Sequence, residues 1–389
     1  MGKIRVKLLT FKGAGESVLN MGKEKVYKIF GKSYVKFVDE HPEVLYFVTG
    51  GSEEEALRVV ERRGRRFYLL LADSEHNAYA SATEVKAWLN QNIVRARLLQ
   101  IGVDGSDSLI KSYFNVRKAF WKLQNTKIGL FGKPSDWLVA STIPFGRLKD
   151  WLGITLQQID WSDFNPEDYP QDEKFLSKFQ PKCSGDLGTT SAVSQFMMDQ
   201  IKLHKLDAIT VECFPMVQEK GITACLPLSL LNDNGVPAGC EGDITAITGM
   251  MIGQALTGSI PWMANTVEID KKRSLFAHCT IGTNMLNDYN ITTHFETGKG
   301  TAIQGDFKHR EVTIFRVNRN LERGFVTNAM ITHTPKLDTA CRTQVKVQMP
   351  EKAVETLRDQ PLGNHHLFLP GDHVEEIKMA FELLGMEIV

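Results

Sequence analysis

Two acidic residues, Glu241 and Asp243, stand directly before a helix-length segment without charge in the stretch GCEGDITAITGMMIGQALTG, residues 239–258. Carboxylates at the start of a helix commonly cap its free backbone N–H groups and interact favourably with the helix dipole. Carboxylates at this position are also suited to hold a cation. The spacing does not separate the two residues, so one could cap the helix while the other binds a ligand.

A third carboxylate, Glu212, interrupts the otherwise apolar strand pattern AITVECF. A buried carboxylate without a partner costs several kcal/mol, so Glu212 is expected to be paired, protonated or bound to a metal. An ion pair with a nearby lysine or arginine would be a purely structural explanation. A metal ligand or an acid/base group is the functional alternative.

Histidines occur in the same half of the chain. His365 and His366 are adjacent in LGNHHLFLPGDH, and His278 lies inside the apolar strand LFAHCTI. A lone histidine on an apolar strand is more often a core residue than a ligand. Combined with several carboxylates, however, the set is typical of sites for Mn, Mg or Co with open water positions.

The cysteines do not indicate a metal or redox motif. No C-x-x-C pair occurs, so reduced and mostly buried thiols are expected. The six cysteines are Cys183, Cys213, Cys225, Cys240, Cys279 and Cys341.

Short apolar runs alternate with amphipathic helical segments from residue 44 onward. This alternation predicts parallel sheets with helices on both faces, first in residues 1–125 and again in residues 126–262. Residues 263–389 change to β-branched alternation with glycine turns, which predicts an antiparallel β-rich domain that ends in a helix.

Ligands of open α/β sheets bind at the carboxyl ends of the strands. Polar groups follow predicted strands at Glu212, at the turn of residues 241–243, and in a segment that contains Glu75, His76 and Asn77. A binding site is therefore expected near the meeting of the domains.

The composition makes several other classes of protein improbable. The 46 basic and 46 acidic residues cancel, which disfavours nucleic acid and membrane surfaces as partners. The N-terminus lacks the pattern of a secretion signal, so a cytoplasmic location is expected. The uncharged run 244–267 contains glycines, a proline and polar residues, which favours a buried helix over a membrane span. No phosphate-binding loop, dinucleotide fingerprint or nucleophile elbow occurs.

A series of motifs follows one another along the chain: VTGGSE, HNAYASATEVKAWL, GLFGKPSDWLVAS, ITVECFP, GVPAGCEGDITAITGMM, FAHCTI, THFETGKGTAIQGDF and GNHHLFLPGDH. This series resembles the L-fucose isomerase and L-arabinose isomerase superfamily, and most closely the shorter fucose isomerase-like proteins. The resemblance implies two Rossmann-like parallel-sheet domains followed by an antiparallel β-rich domain. It also implies a homotrimer or homohexamer with the site in a cleft between subunits.

The resemblance also implies roles for individual residues. A divalent metal, usually manganese, would be held by Glu212, Asp243 and His365, and Glu212 and Asp243 would form the acid/base pair. Further groups would bind substrate or support the site. These are Glu241, His278, His366, Glu75, His76 and Asn77, of which the last three would reach a sugar bound to a neighbouring subunit.

The function implied is a metal-dependent isomerisation of a free pentose, hexose or deoxysugar between aldose and ketose. A proton moves between C1 and C2 through an enediol, which requires an acid and a base, and a cation stabilises the developing negative charge. Two alternatives remain open. The same scaffold could catalyse aldol cleavage, epimerisation or decarboxylation of a sugar derivative, and a non-catalytic carbohydrate-binding protein is the third interpretation.

Overall fold

A computed structural model describes residues 2–61, 66–103, 105–161, 164–271 and 273–389. The chain divides into two compact units, residues 1–121 with 378–387, and residues 122–377 with 388–389. The second unit holds both a parallel sheet and an antiparallel sheet. The three domains predicted from the sequence, with boundaries after residues 125 and 262, stay a prediction.

The first unit contains a five-stranded parallel sheet in the order β2-β1-β3-β4-β5. Its central strands are apolar on both faces because helices cover the sheet. The elements are β1 (Ile4–Leu9), α1 (Glu16–Phe30), β2 (Val35–Phe37), β3 (Val44–Phe47), α2 (Glu53–Val59), β4 (Phe67–Ala72), α3 (Ala78–Gln91), β5 (Arg95–Gln100) and α4 (Ser106–Leu123).

The second unit begins with a four-stranded parallel sheet in the order β7-β6-β8-β9. Its elements are β6 (Lys127–Phe131), α5 (Phe145–Leu152), β7 (Thr155–Ile159), α6 (Glu173–Phe179), α7 (Gly188–His204), β8 (Ala208–Val211), α8 (Phe214–Lys220), α9 (Cys225–Asp233), β9 (Ala238–Cys240) and α10 (Ile244–Thr257).

An antiparallel sheet follows in the order β14-β17-β10-β11-β16-β15, and a further pairing of β14 with β15 closes it into a barrel. Strands β12 and β13 form a separate hairpin, and β18 adds to β15. The elements are β10 (Trp262–Glu268), β11 (Ser274–His278), β12 (Leu286–Thr292), β13 (Ala302–Phe307), β14 (Glu311–Val317), β15 (Arg323–His333), β16 (Thr343–Gln348), α11 (Glu351–Asp359), β17 (His365–Pro370), α12 (Val374–Leu383) and β18 (Glu387–Ile388). The predicted fold class, parallel α/β sheets followed by an antiparallel β-rich sheet, is confirmed.

Helix α10 is the uncharged segment noted in the sequence, and it packs against β8 and β9 of the parallel sheet and against β14 and β17 of the barrel. Its apolar character follows from this enclosure, because the helix has little surface left for water. A Cβ atom at Gly249 would lie 2.3 Å from Leu367 Cδ1, and one at Gly253 would lie 2.4 Å from Pro261 Cγ. The two glycines therefore permit the close approach of the barrel. Within the described residues, no helix has the length and apolar character needed to cross a membrane.

Replacing Gly249 by alanine should destabilise the protein by about 1–3 kcal/mol, because the added methyl group would overlap the Leu367 side chain in a filled core. Gly146→Ala is the matched control, since Gly146 lies in α5 and a Cβ there would meet no described atom within 4 Å. Urea-induced unfolding followed by circular dichroism measures both. Equal stability of the two variants would contradict the proposed packing role of Gly249.

Candidate active site

The turn between β9 and α10 has a backbone conformation that fixes the direction of its side chains. Glu241 has a φ of 63° and Gly242 a φ of 66°, both in the left-handed region. The Gly242 N–H donates to Val211 O at 3.0 Å, and Glu241 O accepts from the Ser135 N–H at 2.9 Å. A Cβ on Gly242 would lie 2.5 Å from the Lys133 carbonyl oxygen, so the turn requires glycine at this position.

Asp243 is fully buried and uses both carboxylate oxygens. Oδ1 accepts from the Ala246 N–H at 2.7 Å and so caps α10, while Oδ2 lies 2.8 Å from Nδ1 of His365. Charge-assisted bonds of this kind are stronger than those between neutral groups. The structure therefore combines the capping role with the positioning of an imidazole.

His365, the first residue of β17, is held with its Nδ1 on Asp243 and its Nε2 3.5 Å from Glu241 Oε1. Burial alone would lower the pKa of this imidazole, but the carboxylates of Glu241 and Asp243 favour its charged form and raise the pKa to about 9. Nε2 has no hydrogen-bond partner among the residues that the structure describes. Once Nε2 is deprotonated, its lone pair is free to bind a ligand.

Glu241 faces this imidazole and accepts a hydrogen bond from the indole of Trp137, with 2.6 Å between Nε1 and Oε2. Burial tends to raise the pKa of Glu241. The opposing effects are larger and lower that pKa to about 2: the charge and hydrogen bond of His365, the charge interaction with His278, and the hydrogen bond from the Trp137 indole. Glu241 is therefore ionised at all ordinary pH values. Trp137 was not predicted as a site residue; it packs edge-on against Phe214 at a centroid distance of 4.8 Å.

His278 ends strand β11 with its Nε2 3.9 Å from Glu241 Oε1. Its Nδ1 accepts the Thr280 N–H at 3.1 Å, so the neutral ring carries its proton on Nε2. Burial is the main cause that lowers the pKa of His278, to about 3, so the ring is neutral at pH 7. His278 can thus donate a hydrogen bond to an oxygen atom at this position.

The donor atoms of Glu241, His278 and His365 lie within 4.8 Å of one another, close enough to share one cation. His365 and Glu241 fit a metal. The Nε2 atom of His365 has no hydrogen-bond partner among the described residues, and Glu241 offers an ionised carboxylate. Asp243 supports His365 in the way that carboxylates commonly orient metal-binding imidazoles. His278 fits a ligand role less well, because its Nδ1 is already an acceptor and its Nε2 carries the proton.

Glu212 lies at the end of β8, beside the turn that carries Glu241, since Val211 pairs with Cys240. Its Oε2 accepts a hydrogen bond from the Lys133 backbone N–H at 3.0 Å. Among the described residues, Glu212 is not a member of the group formed by Glu241, His278 and His365. The structure thus places Glu212 on the neighbouring strand end. Its predicted roles in catalysis and metal binding, and the metal-binding role of Asp243, stay predictions.

The other predicted residues lie elsewhere. His366 faces away from His365 because successive strand residues alternate, and its ring packs against Phe276 and Phe325. Burial is the main cause that lowers the pKa of His366, to about 3. Glu75, His76 and Asn77 are exposed residues of the first unit, between β4 and α3.

Arg316 of β14 is a buried residue that the sequence reasoning missed. Its guanidinium donates to the carbonyl oxygen of His365 and, at 2.6 Å, to Ser141 Oγ. Burial lowers the pKa of Arg316 and the negative charge of Asp243 opposes this shift. Arg316 therefore fixes the backbone of His365 and offsets the charge of Asp243. A lone arginine in the apolar strand pattern EVTIFRV was the available signal.

Comparison with known proteins finds no matching protein-family model, but it finds similar curated proteins. The chain is 24% identical over 300 residues to sulfoquinovose isomerase of Alkalicoccus urumqiensis, which covers 72% of this chain and 68% of that protein. It is 26% identical over 298 residues to sulfoquinovose isomerase of Priestia megaterium, covering 70% and 66%. The matched region thus spans about two thirds of the length of these relatives. The comparisons thus show similarity to curated sugar isomerases at 24–26% identity.

In the metal-free protein, the His365 imidazole should be protonated at neutral pH and should lose its proton near pH 9, because two carboxylates favour the charged ring. Asp243→Asn should lower this midpoint, since it removes one negative charge while asparagine can still cap α10. The exposed control Asp338→Asn should leave it unchanged. Nitrogen-15 NMR of the imidazoles reports each titration. A wild-type midpoint at the ordinary histidine value would rule out this electrostatic arrangement.

Proposed function

We propose that this protein is a divalent-metal-dependent aldose–ketose isomerase that acts on a free sugar. The observation that carries the proposal is the close group of half-buried Glu241 with buried His365 and His278, and Asp243 bound to the far side of His365. The similar curated proteins are named sulfoquinovose isomerases, which supports sugar isomerisation as the reaction class. We therefore include sulfoquinovose among the proposed substrates, together with pentoses, hexoses and deoxysugars.

The proposed metal ligands are Glu241 and His365. A bound divalent cation, proposed as Mn²⁺ with Mg²⁺ or Co²⁺ as alternatives, would act as a Lewis acid toward negative charge on the sugar oxygens. Both oxygens of Asp243 are already engaged, by Ala246 and by His365. We therefore assign to Asp243 the positioning of His365 instead of the direct ligation inferred from the resemblance.

Proton transfer between C1 and C2 requires a group that can accept and return a proton. Glu241 is a weak base, because its pKa is about 2 and catalytic bases work best near the operating pH. We assign the transfer to Glu212, whose strand end adjoins that of Glu241. His278, neutral and with its Nε2 3.9 Å from Glu241 Oε1, would donate a hydrogen bond to the sugar oxygen on which charge develops.

The homotrimer or homohexamer implied by the family resemblance is part of the proposal. In it, Glu75, His76 and Asn77 would contribute to the sugar site of a neighbouring subunit. Their exposure on the turn before α3 leaves their side chains accessible to another molecule. Light scattering combined with size-exclusion chromatography measures the assembly directly.

Glu241→Gln and His365→Gln should each weaken Mn²⁺ binding by more than about 100-fold, because each removes a ligand. Asp243→Asn should weaken it by about 10- to 100-fold through loss of the charged partner of His365. The exposed controls Glu268→Gln and His333→Gln should bind as the wild type does. Titration calorimetry on chelator-treated protein gives the affinities. Unchanged binding in both ligand variants would remove the proposed metal site.

Wild-type protein with Mn²⁺ should interconvert one aldose of the panel with its ketose and exchange the C2 proton with D2O. Glu212→Gln should lower kcat by about 10²- to 10⁴-fold, because the amide cannot carry the proton, while Mn²⁺ affinity persists. The exposed control Glu219→Gln should retain full activity.

Proton NMR of the sugars in D2O measures both exchange and product. Absence of both interconversion and C2 exchange across the panel would overturn isomerisation, and saturable sugar binding without either would then indicate a binding protein. Exchange with cleaved, epimerised or decarboxylated products would indicate other enediolate chemistry. Full activity of Glu212→Gln would overturn the role of Glu212 alone.

A further inference from the structure

A second group of potential ligands lies close to the site but serves no part of the proposed reaction. Donor atoms of Cys279, Glu296 and Cys341 all lie within 4.8 Å of one another. Cys279 directly follows β11, Glu296 lies between β12 and β13, and Cys341 precedes β16. The three residues are far apart in sequence, so the barrel and its hairpin bring them together.

The carboxylate of Glu296 is directed by specific contacts. Its Oε1 accepts a hydrogen bond from Cys341 Sγ at 3.5 Å, and its Oε2 lies 3.2 Å from Nε2 of His294. A tight turn holds the segment, because the His294 N–H donates to Lys299 O at 3.1 Å and the Gly298 N–H donates to His294 O at 2.9 Å. Backbone hydrogen bonds within this turn therefore hold the Glu296 carboxylate next to the thiols.

Burial of small side chains is the ordinary explanation for these cysteines, since both pack with Cys225, Ala277, Ala302 and Ala340. It does not account for the carboxylate, because Glu296 is exposed and adds no apolar surface to the cluster, yet its Oε1 accepts a hydrogen bond from the Cys341 thiol. The other close thiol pair, Cys213 and Cys240, has Sγ atoms 3.3 Å apart. Among the described residues, that pair belongs to no group of three potential ligands. The carboxylate thus distinguishes the Cys279 group from an ordinary thiol contact.

We propose that Cys279, Cys341 and Glu296 form a second cation site, selective for a thiophilic divalent cation such as Zn²⁺. Two thiolates with one carboxylate match the sulfur-rich sets that favour Zn²⁺ over Mn²⁺ or Mg²⁺. Binding releases the two thiol protons to solvent and involves no change of oxidation state. Both thiols are buried, whereas Glu296 is exposed and gives the cation a path of entry.

The position of this site links it to the Glu241 group. His278 and Cys279 are consecutive, and their side chains join different clusters. A cation on Cys279 would tie the end of β11 to the turn of Glu296 and to the segment before β16. It would thereby restrain the backbone that carries His278, without contacting the hard-ligand site of Glu241 and His365.

Cadmium titration of the chelator-treated, reduced full-length protein tests the proposal, because cadmium thiolates give an ultraviolet charge-transfer absorption. We expect one tightly bound Cd²⁺ per chain with this absorption. Cys279→Ser and Cys341→Ser should each weaken binding at least about tenfold and reduce the absorption. Glu296→Gln, an exposed and mild change, should weaken binding with the fold intact. Glu241→Gln should leave the absorption unchanged, which separates this site from the proposed catalytic metal.

Cys183→Ser and Cys213→Ser are the matched controls, and both should retain the absorption. In a second readout, bound Cd²⁺ should protect Cys279 and Cys341 from alkylation, as mapped by mass spectrometry, while half-buried Cys183 stays reactive. Lack of the absorption in the wild type, or its persistence in both Cys279→Ser and Glu296→Gln, would overturn the proposal. Its loss in Cys213→Ser alone would assign the cation to the other thiol pair.

Discussion

The carboxylate of Asp243 is the interaction on which the candidate site depends. It is fully buried, and it joins the N-terminus of α10 to the imidazole of His365 through two short hydrogen bonds. A buried charge is tolerated only when hydrogen bonds and opposite charges compensate its loss of water. The backbone N–H of Ala246, the imidazole of His365 and the guanidinium of Arg316 supply that compensation. Moving any of these elements would leave an uncompensated charge in the core. The parallel sheet, α10 and the barrel are therefore held in fixed positions relative to one another.

The two acids that open α10 have different roles because the turn between them reverses direction. Left-handed backbone at Glu241 and Gly242 sends one carboxylate toward Trp137 and His365, while the other returns to the helix. Sequence spacing alone could not separate them, since both capping and ligation favour an acid in this position. Close contact with the Lys133 carbonyl explains why the residue between them is glycine.

The alternation of strands and helices predicted the parallel sheets, and the β-branched alternation predicted the antiparallel sheet, because both patterns reflect local burial. Closure of the barrel through β14 and β15 depends on pairing between distant strands, which periodicity does not encode. The same limit applies to the site. The candidates Glu241, Asp243, His278 and His365 were recognisable by residue type, but Trp137 and Arg316 reach them from other segments. The side chains of His365 and His366 point to opposite faces of β17, because side chains alternate along a strand. Predicting this required knowing that both residues lie in a strand.

Charge balance explains why this arrangement suits a cation. Without metal, the two carboxylates of Glu241 and Asp243 are matched by the guanidinium of Arg316 and the protonated ring of His365. A divalent cation in place of the His365 proton would leave one positive charge in excess on these four residues, which the ionised Glu212 on the neighbouring strand end would offset until it accepts the substrate proton. In a buried setting such an excess interacts strongly with negative charge, because little water is present to screen it. The neutral His278 adds a hydrogen-bond donor without further positive charge. The site as a whole would thus favour a state in which a sugar oxygen carries negative charge, which is the requirement of the proposed proton transfer.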